Sequence, residues 1–531
     1  MKKLLVLSAT LVPVWILYFN GHGQPPTEWT ARYNGPANKF DGVRAMVVDG
    51  QNNLFVTGPS EGKKGNVDYT TVKYNAAGQQ EWVARYNGTG NGEDWPYAIT
   101  LDASGNVYVT GRSLGNGTNL DYATIKYDNI GIQQWAVRYA GPANLVDIAK
   151  DIAVDASGNV YVTGLCDGNT VSGNAYATLK YNSNGNLQWL ARYDGNSSAP
   201  EDANSLALDA SGNVYVTGRS AGILTIKYDN TGQLQWTRNG GGNNGQKVLV
   251  DAADNIAVTG WGSKTLKYNS SGDVIWETTY PGNATFEDMV LDQNGNIYVT
   301  GYNRENGTSD DYRTIKYDAN GIQQWSARFD GSLNSIDLAR SIALDASGNV
   351  YITGHCSVSD GSRNGIVNYG TVKYDNAGVQ QWVALYDGPD KQSSDAFVVA
   401  TDLSGNVYVS GQSAAKISSF DFLTIKYSSG TASKSVISQP VGESAFNFQL
   451  RNYPNPFNKT TTIEYQLSKE ARVSLKVYGL LGQEVATLVN ENKVAGSYTV
   501  NFSADRLLPG TYICSIQSGD SIKSTKLIVI K

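Results

Sequence analysis

The sequence is poor in the residues on which secreted scaffolds and many hydrolases depend. It has three cysteines in 531 residues, Cys166, Cys356 and Cys514, too few for a disulfide framework. Of its two histidines, His22 lies in an N-terminal leader. His355 alone remains for a mature chain, which argues against a His-based zinc site or a Ser-His-Asp triad. Basic surplus is also missing: the net charge is -6, so a surface that neutralises phosphates, and hence a nucleic-acid partner, is not expected. There is one long apolar run, Leu4 to Phe19, preceded by Lys2 and Lys3 and broken by Pro13. It falls short of the roughly 20 residues of a spanning helix. With Gly21 and Gly23 after it, residues 1–23 read as a signal peptide cleaved near Gly23, and no transmembrane helix is expected once it is removed. No cysteine follows the run, so a lipid anchor there is unsupported. GPSEGKKG, from Gly58, lacks P-loop spacing, and no G-x-S-x-G elbow with a histidine partner appears.

Glycine (57) and tyrosine (33) are abundant, as suits many short strands joined by tight turns. The phrase DASGNVYVTG runs from Asp102 to Gly111 and returns unchanged at Asp155–Gly164 and Asp209–Gly218. Its leading aspartate recurs at Asp49, Asp102, Asp155, Asp209, Asp251, Asp292, Asp345 and Asp402, and its closing glycine at Gly58, Gly111, Gly164, Gly218, Gly260, Gly301, Gly354 and Gly411. A Lys-Tyr pair follows each, and a tryptophan recurs at Trp29, Trp82, Trp135, Trp189, Trp236, Trp276, Trp325 and Trp382. One unit reads as four strands: YAITLD (A), NVYVTG (B), YATIKYD (C) and QQWAVRY (D). Alternating β-branched and aromatic residues bounded by Gly, Asn and Asp are the strand signal, and four strands in roughly 40–55 residues is a propeller blade.

The expected fold is therefore all-β: an eight-bladed β-propeller over residues 24–430, with seven blades as the alternative. The first strand, around Trp29, is of D type, and the last unit lacks its own tryptophan. The N-terminal strand is thus expected to complete unit eight and close the ring. DASGN is the A–B turn rather than a metal loop, since it has neither the D-x-D-x-D-G spacing nor a glutamate at the twelfth place. No cofactor is expected; calcium is left open without a motif to support it. Cys166 and Cys356 share a register in opposed units and should not form a disulfide.

D-x-S-G-N-V-Y-V-T-G followed by T-I-K-Y-D resembles the bacterial secreted β-propeller repeat, across most of residues 29–427; the resemblance implies fold, not activity. Tyr127, Asp128, Gly131 and Trp135 also resemble the tryptophan-docking repeat of quinoproteins, read as shared blade mechanics. After a polar linker, residues 431–447, the texture changes to a small Ig-like β-sandwich over 448–531. There Asn452, Pro454, Asn455, Pro456 and Phe457, then Gly482, Gly496, Gly510, Tyr512 and the terminal Lys531, resemble the type A sorting domain of type IX secretion. That resemblance implies type IX machinery as a partner, and a secreted or outer-surface location.

A–B and C–D turns share one face of such a fold, and the longer, varied B–C and D–A loops share the other, where ligands are expected. Trp95, within the D–A loop entering unit two, and Trp261, at the start of the B–C loop of unit five, fall on it, as candidates for stacking or anchoring. The alternative is that each packs under its own loop. Short B–C connections at 219–222 and 261–264 suggest a notch flanked by Arg219 and Tyr302. Asp94 is a candidate with Asp41, Asp147, Glu201, Asp202, Asp288, Asp337 and Asp395, acids recurring in the D–A loops; they read as loop caps or as a carboxylate ring. The function expected is binding of polysaccharide or protein. A polysaccharide hydrolase or lyase using these acids, and a surface-layer scaffold, are the alternatives; catalysis is left open, with no catalytic or metal residue assigned.

Overall fold

The computed structural model describes residues 24–429 and 450–530, apart from segments 168–172, 196–200, 306–308, 332–334, 359–365, 389–391 and 416–417, and 454, 456, 468–470, 480–482, 495, 506 and 519–520. The expected signal peptide and linker lie outside them. The chain divides into two compact units, Met1–Ser435 and Val436–Lys531. The described residues contain strands and no α-helix.

In the larger unit, strands follow one another as four-stranded antiparallel meanders, the fifth and sixth of them joined into one eight-stranded sheet by the pairing of Trp261 with Thr285. Unit one comprises Ala45–Val48, Leu54–Glu61, Val67–Tyr74 and Gln80–Tyr86. The A strands of units two to eight are Asp94–Leu101, Ile148–Val154, Asp202–Leu208, Asn244–Val250, Ala284–Leu291, Asp337–Leu344 and Ser394–Thr401. Each meander packs against the next, and the A strand of unit eight packs against that of unit one. The N-terminal strand Thr27–Tyr33 pairs antiparallel with Ser418–Tyr427, so it supplies the fourth strand of unit eight.

The repeated residues are the joints of this array. Asp102 Oδ1 accepts the N–H groups of Ser104 and Asn106, and its Oδ2 accepts from Asn106 Nδ2 and the Tyr108 hydroxyl. Gly105 takes the positive φ (78°) that the turn demands. Asp155, Asp209 and Asp345 repeat the pattern. Tryptophans of the D strands dock on the following unit: Trp82 Nε1 donates to Asn129 O at 3.2 Å and its ring covers Gly131. The cysteines are free and buried.

The smaller unit has two antiparallel sheets. One holds Leu450–Tyr453, Thr460–Leu467 and Gly496–Ser503; the other Ala471–Gly479, Glu484–Lys493, Gly510–Ser518 and Ser521–Val529. Ile463, Leu475, Val477, Ile516 and Leu527 form their shared core. The Asn-Pro-Phe stretch clips the last strand: Asn455 donates to Lys526 O and accepts from Ile528 N–H, while Phe457 forms a parallel bridge with Val529. Asn452 donates to Thr461 Oγ1, and the Tyr512 hydroxyl to Leu508 O. Gly496 and Gly510 open strands. Pro454, Pro456, Gly482 and Lys531 lie outside the described residues.

Candidate functional site

A single irregularity builds the site. In units two to eight the A strand slips register against strand B immediately after it meets the closing glycine, for example between Pro96 and Ala98, Ala149 and Asp151, and Phe286 and Asp288. One residue per unit is thereby extra, and a β-bulge re-aims that residue. The closing glycine makes room for it: a Cβ on Gly301 would lie 1.9 Å from Thr285 O, and one on Gly111 2.0 Å from Trp95 O.

The extra residues are Tyr97, Lys150, Asn204, Gln246, Glu287, Arg340 and Phe397, with Arg44 at the same place in unit one. Every one is half-buried. Tyr97, Lys150, Asn204, Gln246 and Glu287 line a cavity of about 300 Å³ between the A strands, together with Asp151, Lys247 and Asp288. Around this channel mouth they join sideways. Lys150 donates to Asp202 and Asn204 at 2.6 and 2.9 Å, and Asn204 donates to Asn244 Oδ1 at 2.8 Å. Arg340 pairs with Asp395 at 3.0 Å. Asp395 also faces His355 Nδ1 at 3.7 Å.

The protonation states follow from this crowding. Burial raises the Glu287 carboxyl against a hydrogen bond from Trp261 and the field of Arg340. Burial also raises Asp395, against Arg340, His355 and Arg44, and lowers His355. Deeper in, burial acts to lower Lys247, but Asp151 and Asp288 outweigh it and raise its affinity for the proton.

The sequence-derived candidates divide. Trp95 is a strand residue, not a loop residue, because the A strand begins one position earlier. It is half-buried against Phe40 and under Arg44 and Arg112 rather than free for stacking. Trp261 ends its B strand, opposite Asn244, and keeps 38 % of its surface exposed beside Glu287. Tyr302 stands opposite Thr285, within the field of Glu287. Arg219 is exposed opposite Asp202. None of these four lines the cavity; Trp261 and Tyr302 are connected to it through Glu287. Asp94 is fully buried and accepts the Gly88 N–H at 2.7 Å.

The recurring acids are not one ring. Asp41, Asp147, Glu201 and Asp337 cap Gly35, Gly141, Gly195 and Gly331 as Asp94 caps Gly88. Asp202, Asp288 and Asp395 instead bond Lys150, the Ile342 N–H and Arg340. Burial pushes Asp147 and Asp337 up to about 6, against their backbone hydrogen bonds. A carboxyl raised from an ordinary 3.8 stabilises the fold below that value and loses the contribution as pH climbs through about 6. Each is worth roughly 3 kcal/mol. The turn aspartates act oppositely: burial opposes ionisation of Asp102 and Asp155, but Asn106 and Tyr108, and Asn159 and Tyr161, hold them below the ordinary range. The melting temperature should therefore rise as pH falls from 7 to 5, then drop below about 4. A melting temperature that falls from pH 7 to 5 would contradict the assignment of these caps.

Two other places are less suited to a ligand. A cavity of about 710 Å³ lies at the opposite mouth, lined by Asp49, Asp292, Asp345, Asp402 and Leu403. It is the larger of the two, yet those four carboxylates are committed to their own turns. Asp311, Asp330 and Asp337 bring carboxylate oxygens within 4.8 Å of one another. Arg328 already serves Asp311 and Asp330, at 2.5 and 3.0 Å, and Arg85–Asp68 and Arg138–Asp121 repeat the pairing, so the cluster is a joint between strands.

Comparison with known proteins separates the two units. Residues 451–531 match the secretion system C-terminal sorting domain family. Residues 81–118 and 134–169 match the β-propeller repeat family. An uncharacterised WD repeat-containing protein of Acanthamoeba polyphaga mimivirus is 23 % identical over 88 % of this chain, which spans about a third (34 %) of that relative. Similar solved structures include BamB from Moraxella catarrhalis, 13 % identical over 73 % of this chain and 99 % of that one, with a TM-score of 0.43. The Dos1 propeller is 9 % identical over 76 % and 95 %, with a TM-score of 0.49. Among the described residues no helix is long and apolar enough to cross a membrane.

Proposed function

We propose, for a chain that carries β-propeller repeats and a C-terminal sorting domain, that it is an exported eight-bladed propeller with an Ig-like sorting tail, and that it binds a polysaccharide or protein at the loop-side mouth of its central channel. The sorting domain supports delivery by type IX machinery to the surface or the medium. The bulged residues carry the site: two positions further along the A strand every unit holds an apolar residue (Met46, Ile99, Ile152, Leu206, Val248, Met289, Ile342 and Val399), whereas the bulge holds Arg44, Tyr97, Lys150, Asn204, Gln246, Glu287, Arg340 and Phe397. A structural position in a repeat converges on a few residue types, whereas a ligand-facing one need not.

The test is a titration of the full chain against surface polysaccharides and envelope proteins. Saturable binding lost in Trp261→Ala and Gln246→Ala, and kept in Leu403→Ala at the opposite mouth, is the expected result. Loss only in Leu403→Ala would place the ligand at the other end. A hydrolase or lyase reading rests on Glu287, whose carboxyl burial raises above its ordinary value beside the exposed face of Trp261; turnover abolished by Glu287→Gln would establish it.

A further inference from the structure

One side of the channel mouth is crowded with cations that outnumber their anions: Arg44, Arg112 and Arg340 share Asp395 and the exposed Glu93. Arg44 and Arg112 lie against the Trp95 indole, with guanidinium carbons 5.2 and 5.5 Å from the ring centroid. Arg44 and Arg340 likewise lie 5.6 and 4.4 Å from the Phe397 ring. Asp395 faces this group but is engaged by Arg340. Arg112 has only a 3.9 Å ion pair with Glu93, itself largely exposed. Arg44 Nε, Arg112 Nε and Trp95 Nε1 are buried without an acceptor among the described residues. All three are N–H donors, and leaving a buried donor unpaired is costly. Burial lowers the affinity of Arg44 for its proton, and Arg340 and Arg112 add to this as like charges, against Tyr97 and Asp395, which act the other way. Asp395 is held by Arg340, so what Arg44 and Arg112 lack is a close carboxylate of their own, the planar group that guanidinium binds bidentately.

The remainder of the mouth favours a sugar over a peptide. A peptide would add to the free edge of an A strand, but that edge is occupied by the chain itself. Asp151 accepts Leu206 N–H at 2.9 Å, Ser205 accepts Val248 N–H at 3.4 Å, and Asp288 accepts Ile342 N–H at 3.1 Å. What is offered instead is a half-buried amide, Gln246, and an exposed indole, Trp261, suited to hydroxyls and to a sugar face.

Resting on the loop-side mouth as the binding site, we propose that the ligand is a uronic-acid polysaccharide, with one of its carboxylates seated against Arg44 and Arg112. The test is calorimetric titration of the full chain with oligomers of galacturonate, alginate and glucuronan, their methyl esters, and oligoglutamate. One acidic oligosaccharide should bind, and its ester, which keeps the rings and loses the charge, should bind about 10- to 100-fold more weakly. Arg44→Gln and Arg112→Gln, each confirmed folded by its melting temperature, should erase that preference, while Trp261→Ala should weaken acid and ester alike. The uronate proposal falls if none of the three acids binds, if an ester matches its acid, or if oligoglutamate binds as tightly. Charge-blind binding of a sugar that Trp261→Ala still removes would overturn it while leaving the mouth as the site.

Discussion

Deletion of residues 27–35 should lower the melting temperature by on the order of 10 °C. These residues include the strand whose neighbour is Ser418–Tyr427, with Trp29 through Tyr33 in continuous register against Lys426 through Phe422. Three losses combine. Arg32 is withdrawn from Asp421, a carboxylate 2 % exposed and 2.6 Å away, and breaking a buried pair typically costs about 3–5 kcal/mol. Trp29, Ala31 and Tyr33 leave the cluster around Tyr408 and Phe422, at about 1.5–3 kcal/mol for each large side chain. The strand Ser418–Tyr427 then becomes an open edge, a template for pairing with other chains. Scanning calorimetry reads the first two and light scattering the third. An unchanged melt would mean that the ring is closed by something else.

Gly301→Ala should cost about 3 kcal/mol or more, an unusually large effect for one added methyl. The new Cβ would sit 1.9 Å from Thr285 O and 2.8 Å from Phe286 Cα, both backbone atoms that no side-chain rotation relieves. Since that backbone forms the bulge holding Glu287, the substitution should also disturb the channel mouth. Gly50→Ala is the control, because nothing lies within 4 Å of the position where its Cβ would be. Denaturant unfolding of both variants decides the matter: equal stability would show that the closing glycine is not fixed by the bulge.

Much of this was legible in the chain, for local reasons. Asp102, Gly105 and Asn106 write their turn within five residues, and the two parts of the joint between units recur together, Gly78 four residues before Trp82 and Gly131 four before Trp135. The N-terminal strand is recognisable because Trp29 has the D pattern and unit eight lacks a tryptophan of its own. The site was less legible. Strict alternation assigns each A-strand residue to one face, but the bulge breaks alternation, and its cause sits on another strand, at the closing glycine. Trp95 consequently reads as a loop residue, and Asp94 as a candidate ligand contact when it is a buried cap. A signal was present: aligned on the leading aspartate, the fifth residue before it runs Arg44, Tyr97, Lys150, Asn204, Gln246, Glu287, Arg340, Phe397, with no common chemistry. The unpaired donors of Arg44, Trp95 and Arg112 were beyond reach, since they depend on three side chains meeting from different strands.

The seam between Thr27–Tyr33 and Ser418–Tyr427 also sets a clock. Its two halves stand at opposite ends of the ring-forming chain, so their pairing has the longest loop to close and cannot occur before Tyr427 has been made. Each of the other meanders is complete within its own stretch and can form as it emerges. Closure is therefore the last step and, as the least local one, a slow one. Until it happens the first strand waits without a neighbour, and the edge of Ser418–Tyr427 stays open.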